Sequence, residues 1–150
     1  PFHIDRYSTF LMQFRGSKEV TVFPQWDERV VPSVSREAYV AYANSRLSWS
    51  PEADALGTKF EFAPGEAIHI PFVAGHHVRN GGDDVSISMS IIFNTAQSMA
   101  WRRALSFNHA SRRVLGRFGI VPSPVGRSPL RDSAKAQIWD AVAKVKSARR

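Results

Sequence analysis

His3 and Asp5 stand two residues apart in the opening stretch Pro1-Phe2-His3-Ile4-Asp5. On an extended strand, side chains two apart point to the same face, so this imidazole and this carboxylate lie side by side. Such a pair can supply two of the three ligands of a facial Fe(II) site, which takes two His and one carboxylate. The adjacent residues His76 and His77 offer the third. Such a ligand set leaves neighbouring coordination positions open, the arrangement an oxygenase needs for a chelating cosubstrate and O2. The chain has no Cys, so disulfides and thiolate metal sites are excluded, and any metal must be held by His, Asp or Glu.

The elements that must position these residues are mostly short strands. Residues 2–5 and 9–14 read as strands, Arg15-Gly16-Ser17 as a turn, and residues 18–23 as a strand of alternating polarity. Residues 59–62 and 67–71 follow as strands around the turn Pro64-Gly65-Glu66. Residues 73–78 lead into Asn80-Gly81-Gly82-Asp83-Asp84, which predicts a hairpin to the next strand, 85–93. In that strand Ser86, Ser88 and Ser90 share one face, and Val85, Ile87, Met89 and Ile91 the other. The Ser row suits either a polar interior or a solvent face. Residues 35–48 are Ala-rich and read as helical, with Ser33 or Ser35 as cap. Beyond Asn94 the period becomes helical over 96–118. A Pro/Gly-rich linker, 119–129, precedes a last helix capped by Asp132, with Ala134, Ile138, Ala141, Val142 and Val145 as its apolar face.

The order of several motifs carries a resemblance. His3-Ile4-Asp5, the run from Thr9 to Lys18 with its Gly16-Ser17-Lys18, Phe23-Pro24, Pro64-Gly65-Glu66, and Ile70-Pro71 with His76 resemble the JmjC and factor-inhibiting-HIF-like hydroxylases. In that family a Lys follows the first His by fifteen residues, as Lys18 follows His3, and the distal His lies five residues after the Pro, which selects His76 over His77. The resemblance spans about residues 1–95. It implies a mainly β fold, a double-stranded β-helix of the cupin or jelly-roll kind. It implies Fe(II) held by His3, Asp5 and His76, with 2-oxoglutarate as cosubstrate, its distal carboxylate on Lys18 in a charge-assisted contact. Thr9 and Ser90 stand where the family often has Asn near the cosubstrate. The family's Trp residues before the distal His are replaced here by Ala74-Gly75, which opens the pocket. The implied activity is hydroxylation of a protein side chain or a small molecule by a 2-oxoglutarate-dependent dioxygenase. Metal-cupin enzymes of other kinds usually carry three His and one Glu, and the H-x-D with its spaced Lys argues against them.

An iron ligand at position 3 leaves no room for the elements that precede it in this family. An eight-stranded barrel exceeds the six or seven strands counted, so the barrel over 1–95 is expected to be partial and the chain N-terminally truncated. Residues 96–150 form a separate basic helical extension. Residues 1–97 carry 8 Lys/Arg against 11 Asp/Glu, net −3, and residues 98–150 carry 12 against 2, net +10. Two partners are compatible with that extension. The resemblance implies a homodimer through the terminal helices, and the Arg cluster at 102, 103, 112, 113 and 117, with Lys144, Lys146, Arg149 and Arg150, suits nucleic acid. The alternative to an enzyme is a non-catalytic cupin-like regulator that binds a metal or small molecule and contacts nucleic acid through these helices. His77 and His69 read as non-ligands, and His109 as a surface residue. No apolar run is long enough for a membrane span and no signal peptide is visible, so no membrane partner and a cytoplasmic location are expected.

Overall fold

Strand alternation in this chain is resolved by pairing partners far apart in sequence. The computed structural model describes residues 1–43, 47–82 and 85–148, in two units. The first comprises Pro1–Pro32 and Leu47–Asn94; the second comprises Ser33–Arg46 and Thr95–Arg150. Segment 33–46, lying between strands in the sequence, thus groups with the helical end. The chain is mixed α/β, with two three-stranded antiparallel sheets and three α-helices among the described residues. This is a coarser and more helical architecture than the mainly β fold expected.

The first unit holds β1 (Ser8–Arg15), β2 (Lys18–Val22), β3 (Thr58–Phe62), β4 (Ala67–Ile70), β5 (His76–Asn80) and β6 (Ile87–Phe93). One sheet runs β4-β1-β6 and the other β3-β2-β5. Residues 2–5 are not a strand; only an isolated bridge at His3 is formed there. The expected hairpin between β5 and β6 is not formed either, because β5 pairs with β2 and β6 with β1. The Asn-Gly-Gly signal marks a corner between sheets. Gly81 donates its N–H to Ser17 O, and a Cβ at Gly81 would collide with Ser17 Oγ. Asp83 and Asp84, and Asn44 to Arg46, lie outside the described residues, as do Arg149 and Arg150. At the facing corner Gly16 has φ of 67°, and a Cβ there would sit 2.7 Å from Val85 O, so only glycine fits.

The inner faces of the two sheets share a core of Leu11, Val20, Phe62, Ile70 and Ala74. Cross-strand register puts Thr9, Leu11 and Gln13 of β1 opposite Ile92, Ser90 and Ser88 of β6 on one face. Gln13 and Thr9 are buried, and the Ser row shares their face; Ser86 and Ser88 are half-buried, while Ser90, like Ile92, is exposed. The apolar row Ile87, Met89 and Ile91 is turned outward and about half exposed. Burial of Gln13 is made tolerable by full pairing: the two protons of its Nε2 are shared among Arg15 O, Gly16 O and Ser86 Oγ, and its Oε1 accepts from Ser88 Oγ at 2.6 Å.

In the second unit α1 spans Ser33–Val40, α2 Ala96–Leu115 and α3 Pro129–Ser147. α2 opens with a reciprocal cap, Thr95 and Ser98 each accepting the other's backbone N–H. α2 packs on both α1 and α3. Glu37 of α1 is fully buried and accepts from Arg112 Nε at 2.5 Å and Asn108 Nδ2 at 2.9 Å, which joins α1 to α2. α1 ends earlier than the expected 35–48 helix, because Tyr42 adopts φ of 58° and Ala43 donates its N–H back to Ala38 O, a Schellman-type stop. Ser128, not Asp132, occupies the cap position of α3, with Pro129 at its first turn. Asp132 is buried inside that turn and accepts the Gly126 N–H at 2.9 Å. The buried face of α3 is accordingly Asp132, Lys135 and Ala136, while Ile138, Val142 and Val145 are exposed. Polar partners in the 123–126 loop decided which side of the helix is buried, with Lys135 Nζ donating to the Ser123 carbonyl and hydroxyl.

Candidate metal centre

A two-bond backbone bridge sets the site. His3 N–H donates to His76 O at 3.0 Å and His76 N–H to His3 O at 2.9 Å, so the two residues are held in antiparallel register and their rings lie 4.1 Å apart. Ile4, between His3 and Asp5, points the other way into full burial and anchors the segment. The loop entering β5 is tied to the same segment. Val73 N–H donates to Asp5 O, Phe72 N–H to Ser8 Oγ, Gln25 Nε2 to Phe72 O, and Phe23 N–H to Gly75 O. Val73 adopts φ of 52°, an outlier for a β-branched residue, and is fully buried. A backbone of that kind costs on the order of 1–3 kcal/mol and persists only where the surroundings enforce it.

His3, Asp5 and His76 come together, with one ligand atom from each lying within 4.8 Å of the others. His76 Nε2 is 3.6 Å from Asp5 Oδ2. Two donors on one ion can be no more than about 4 Å apart at metal–nitrogen distances of about 2 Å, so this pair fits a single ion. His76 Nδ1 lies 3.1 Å from Ala74 O and His3 Nδ1 3.1 Å from Pro1 O. A carbonyl only accepts, so each Nδ1 carries the proton and each Nε2 keeps its lone pair for a ligand, the orientation usual for metal-binding His. Burial pushes the His76 imidazole below its ordinary pKa; the Ala74 carbonyl and Asp5 oppose this, and His3 and His77 add to it. The ring is therefore held neutral at pH 7, as a ligand must be.

These three residues border a cavity of about 270 Å³ that is also lined by Tyr7, Thr9 and Ser90. Thr9 Oγ1 is buried and has no hydrogen-bond partner among the described residues, a cost of about 1–3 kcal/mol that a ligand oxygen would remove. Lys18 does not line this cavity. It lines a neighbouring one with Glu19, Glu61 and Arg79, and its Nζ crosses between sheets to donate to Ser88 Oγ at 2.5 Å. Ser88 is two residues from Ser90 on the same face, about 7 Å along the strand. Among the described residues Lys18 makes no ion pair. The Lys18–Ser88–Gln13 chain, and Tyr7, went unread in the sequence; the period-two match between Thr9-Leu11-Gln13 and the Ser row was the available signal.

The remaining His residues are elsewhere. His77 faces away from the cavity, near Asp54 at 3.4 Å and against Trp49 and Phe23. His69 is exposed and packs on Phe10 and Phe93. His109 belongs to the second unit. No family model matches the chain, and no curated protein matches it. No described helix is long and apolar enough to cross a membrane.

Proposed function

We propose that the first unit is a partial double-stranded β-helix and that the chain is an Fe(II)- and 2-oxoglutarate-dependent hydroxylase. The observation that carries the reading is the convergence of His3, Asp5 and His76 on a small cavity with an unpaired buried Thr9 hydroxyl in its wall. Fe(II) with 2-oxoglutarate would supply O2 activation coupled to decarboxylation to succinate, and oxygen insertion into a substrate C–H bond. The chain's own part is to hold and to orient. His3 and His76 would present Nε2 to the metal, fixed by their Nδ1–H bonds to Pro1 O and Ala74 O. Asp5 supplies the anionic ligand. Thr9 and Ser90 offer hydroxyls to the cosubstrate, and Lys18, which has no carboxylate partner among the described residues, offers the charge for its far end across Ser88. Apart from the β2–β3 pair, each strand lies in the other sheet from the one before it, and polar residues line an inner face; both features support the β-helix reading. A cavity of about 270 Å³ suits a small dicarboxylate better than a drug-sized ligand.

Anaerobic Fe(II) titration with 2-oxoglutarate tests this, read by the weak visible charge-transfer band of the chelate. The wild-type chain is expected to give the band, His3→Ala to abolish it and Lys18→Ala to weaken it. A folded chain that gives no band excludes the hydroxylase and leaves a non-catalytic cupin-like binder.

A further inference from the structure

The helical unit contains a cationic groove that is independent of the metal centre. Arg102, Ser106, His109 and Arg113 follow one another at spacings of four, three and four along α2, so they form one stripe of the helix. That stripe borders a cavity of about 570 Å³, whose other walls include Tyr42 from the end of α1 and Trp139 of α3. Among the described residues that line it there is no Asp or Glu. Other α2 arginines are engaged within the unit: Arg103 pairs with Asp140 at 3.2 Å and Arg112 with buried Glu37. The cationic stripe is thus a selected subset of a basic helix rather than its average charge.

The aromatic component is equally placed. Tyr42 occupies the left-handed position after α1, with φ of 58°, where helices usually place glycine. A ring is kept there at a conformational cost, and it is 66% exposed. The Arg102 guanidinium lies 5.8 Å from that ring's centre and donates to its hydroxyl at 2.6 Å. From Arg102 to Arg113 the stripe runs about 16 Å at 1.5 Å per residue, room for a short run of phosphates. Two arginines a few turns apart, beside the exposed Tyr42 ring and the half-buried Trp139 ring, match a strand whose phosphates are neutralised while its unpaired bases stack. A double helix hides its base faces, and an acidic peptide has none.

We infer that the groove formed by Arg102, His109, Arg113, Tyr42 and Trp139 binds single-stranded nucleic acid. The test is fluorescence anisotropy of the full chain with a fluorescein-labelled oligouridylate 12-mer, a duplex of equal length and an oligoglutamate peptide, over a salt series. The single strand is expected to bind most tightly. Arg102→Gln with Arg113→Gln should weaken it at least tenfold and lower the slope of log K against log salt by about 1.4, at about 0.7 per lost phosphate contact. Arg127→Gln with Arg131→Gln removes the same charge from exposed positions that do not line the groove, and should change affinity less than about twofold. Trp139→Leu should cost about fivefold or more with the salt slope unchanged. Arg113→Gln alone, at an exposed position, supplies a variant whose folding is not at issue, checked by circular dichroism. Equal losses in the two double variants would reduce the effect to net charge and overturn the inference. So would equal affinity for duplex or peptide, or no binding at low salt.

Discussion

Gly75→Ala should loosen the metal centre without touching a ligand. A Cβ at Gly75 would lie 2.8 Å from two ring atoms of Phe2 and 3.2 Å from Val30 Cγ1. Ordinary contact begins at about 3.4 Å, so the Phe2 ring must retreat by roughly half an ångström or more. It has little freedom to swing, because it packs edge-on to Phe23 at 5.6 Å and against Trp49 at 5.2 Å. The displacement therefore passes to the backbone at His3, the next residue, whose two bonds to His76 hold the ligands together. Overpacking of this kind costs about 1–3 kcal/mol of stability. Disturbing the support of a ligand typically costs about 10- to 100-fold in metal affinity. Calorimetric titration with Mn(II), a redox-quiet surrogate, reads the second quantity, and thermal melting by circular dichroism the first. Gly116→Ala is the matched control, since its Cβ would meet nothing within 4 Å. A Gly75→Ala protein that is destabilised as expected but binds Mn(II) within about twofold of wild type would refute the coupling of Phe2 to the His3–His76 bridge. Unchanged stability and affinity together would refute the packing argument itself.

Two further outcomes follow from buried charge. Because burial lowers the His76 pKa in the folded chain, the unfolded chain binds the extra proton first. His76's contribution to stability is then complete above the unfolded value of about 6.5. It is lost as pH falls from there toward the depressed folded value, at up to about 1.4 kcal/mol per pH unit. Urea melts of wild type and His76→Gln between pH 7.5 and 5 check this, and parallel curves would rule it out. In the helical unit, Glu37→Ala leaves Arg112 and Asn108 without their shared acceptor and should cost about 3–5 kcal/mol. A denaturant midpoint changed by less than about 1 kcal/mol equivalent would show that Arg112, which is 21% exposed, recovers its hydration instead.

Local pattern carried most of the strands. β2, β3, β4 and β6 fall within a residue or two of where alternation and turn residues put them; α2 starts at the expected Ala96 and stops three residues short of 118, where a 3-10 turn over Gly116–Phe118 takes over. The grouping of the site was legible in part: a two-residue spacing on extended backbone puts His3 and Asp5 on one face, and although only an isolated bridge forms at His3, the two do meet His76. Pairing was not legible. Asn80-Gly81-Gly82 has the chemistry of a hairpin, and whether β5 returns to β6 or crosses to β2 depends on which inner face can bury Val20 and Val78, a matter of the whole unit. The direction of the Ser row was equally undecidable from alternation alone, because alternation separates two faces without saying which one is inside. Gln13 decides it, by burying an amide that needs Ser86, Ser88 and the Gly16 corner as partners. Lys18 shows the same limit: the resemblance implies a cosubstrate partner for it, yet only the packing of one sheet on the other sends its ammonium to Ser88. Residue types and spacing determined which chemistry this chain could hold. The tertiary structure decided which donors meet, because contact between distant segments is set by buried surface and satisfied polar groups, and neither is a property of any one stretch of sequence.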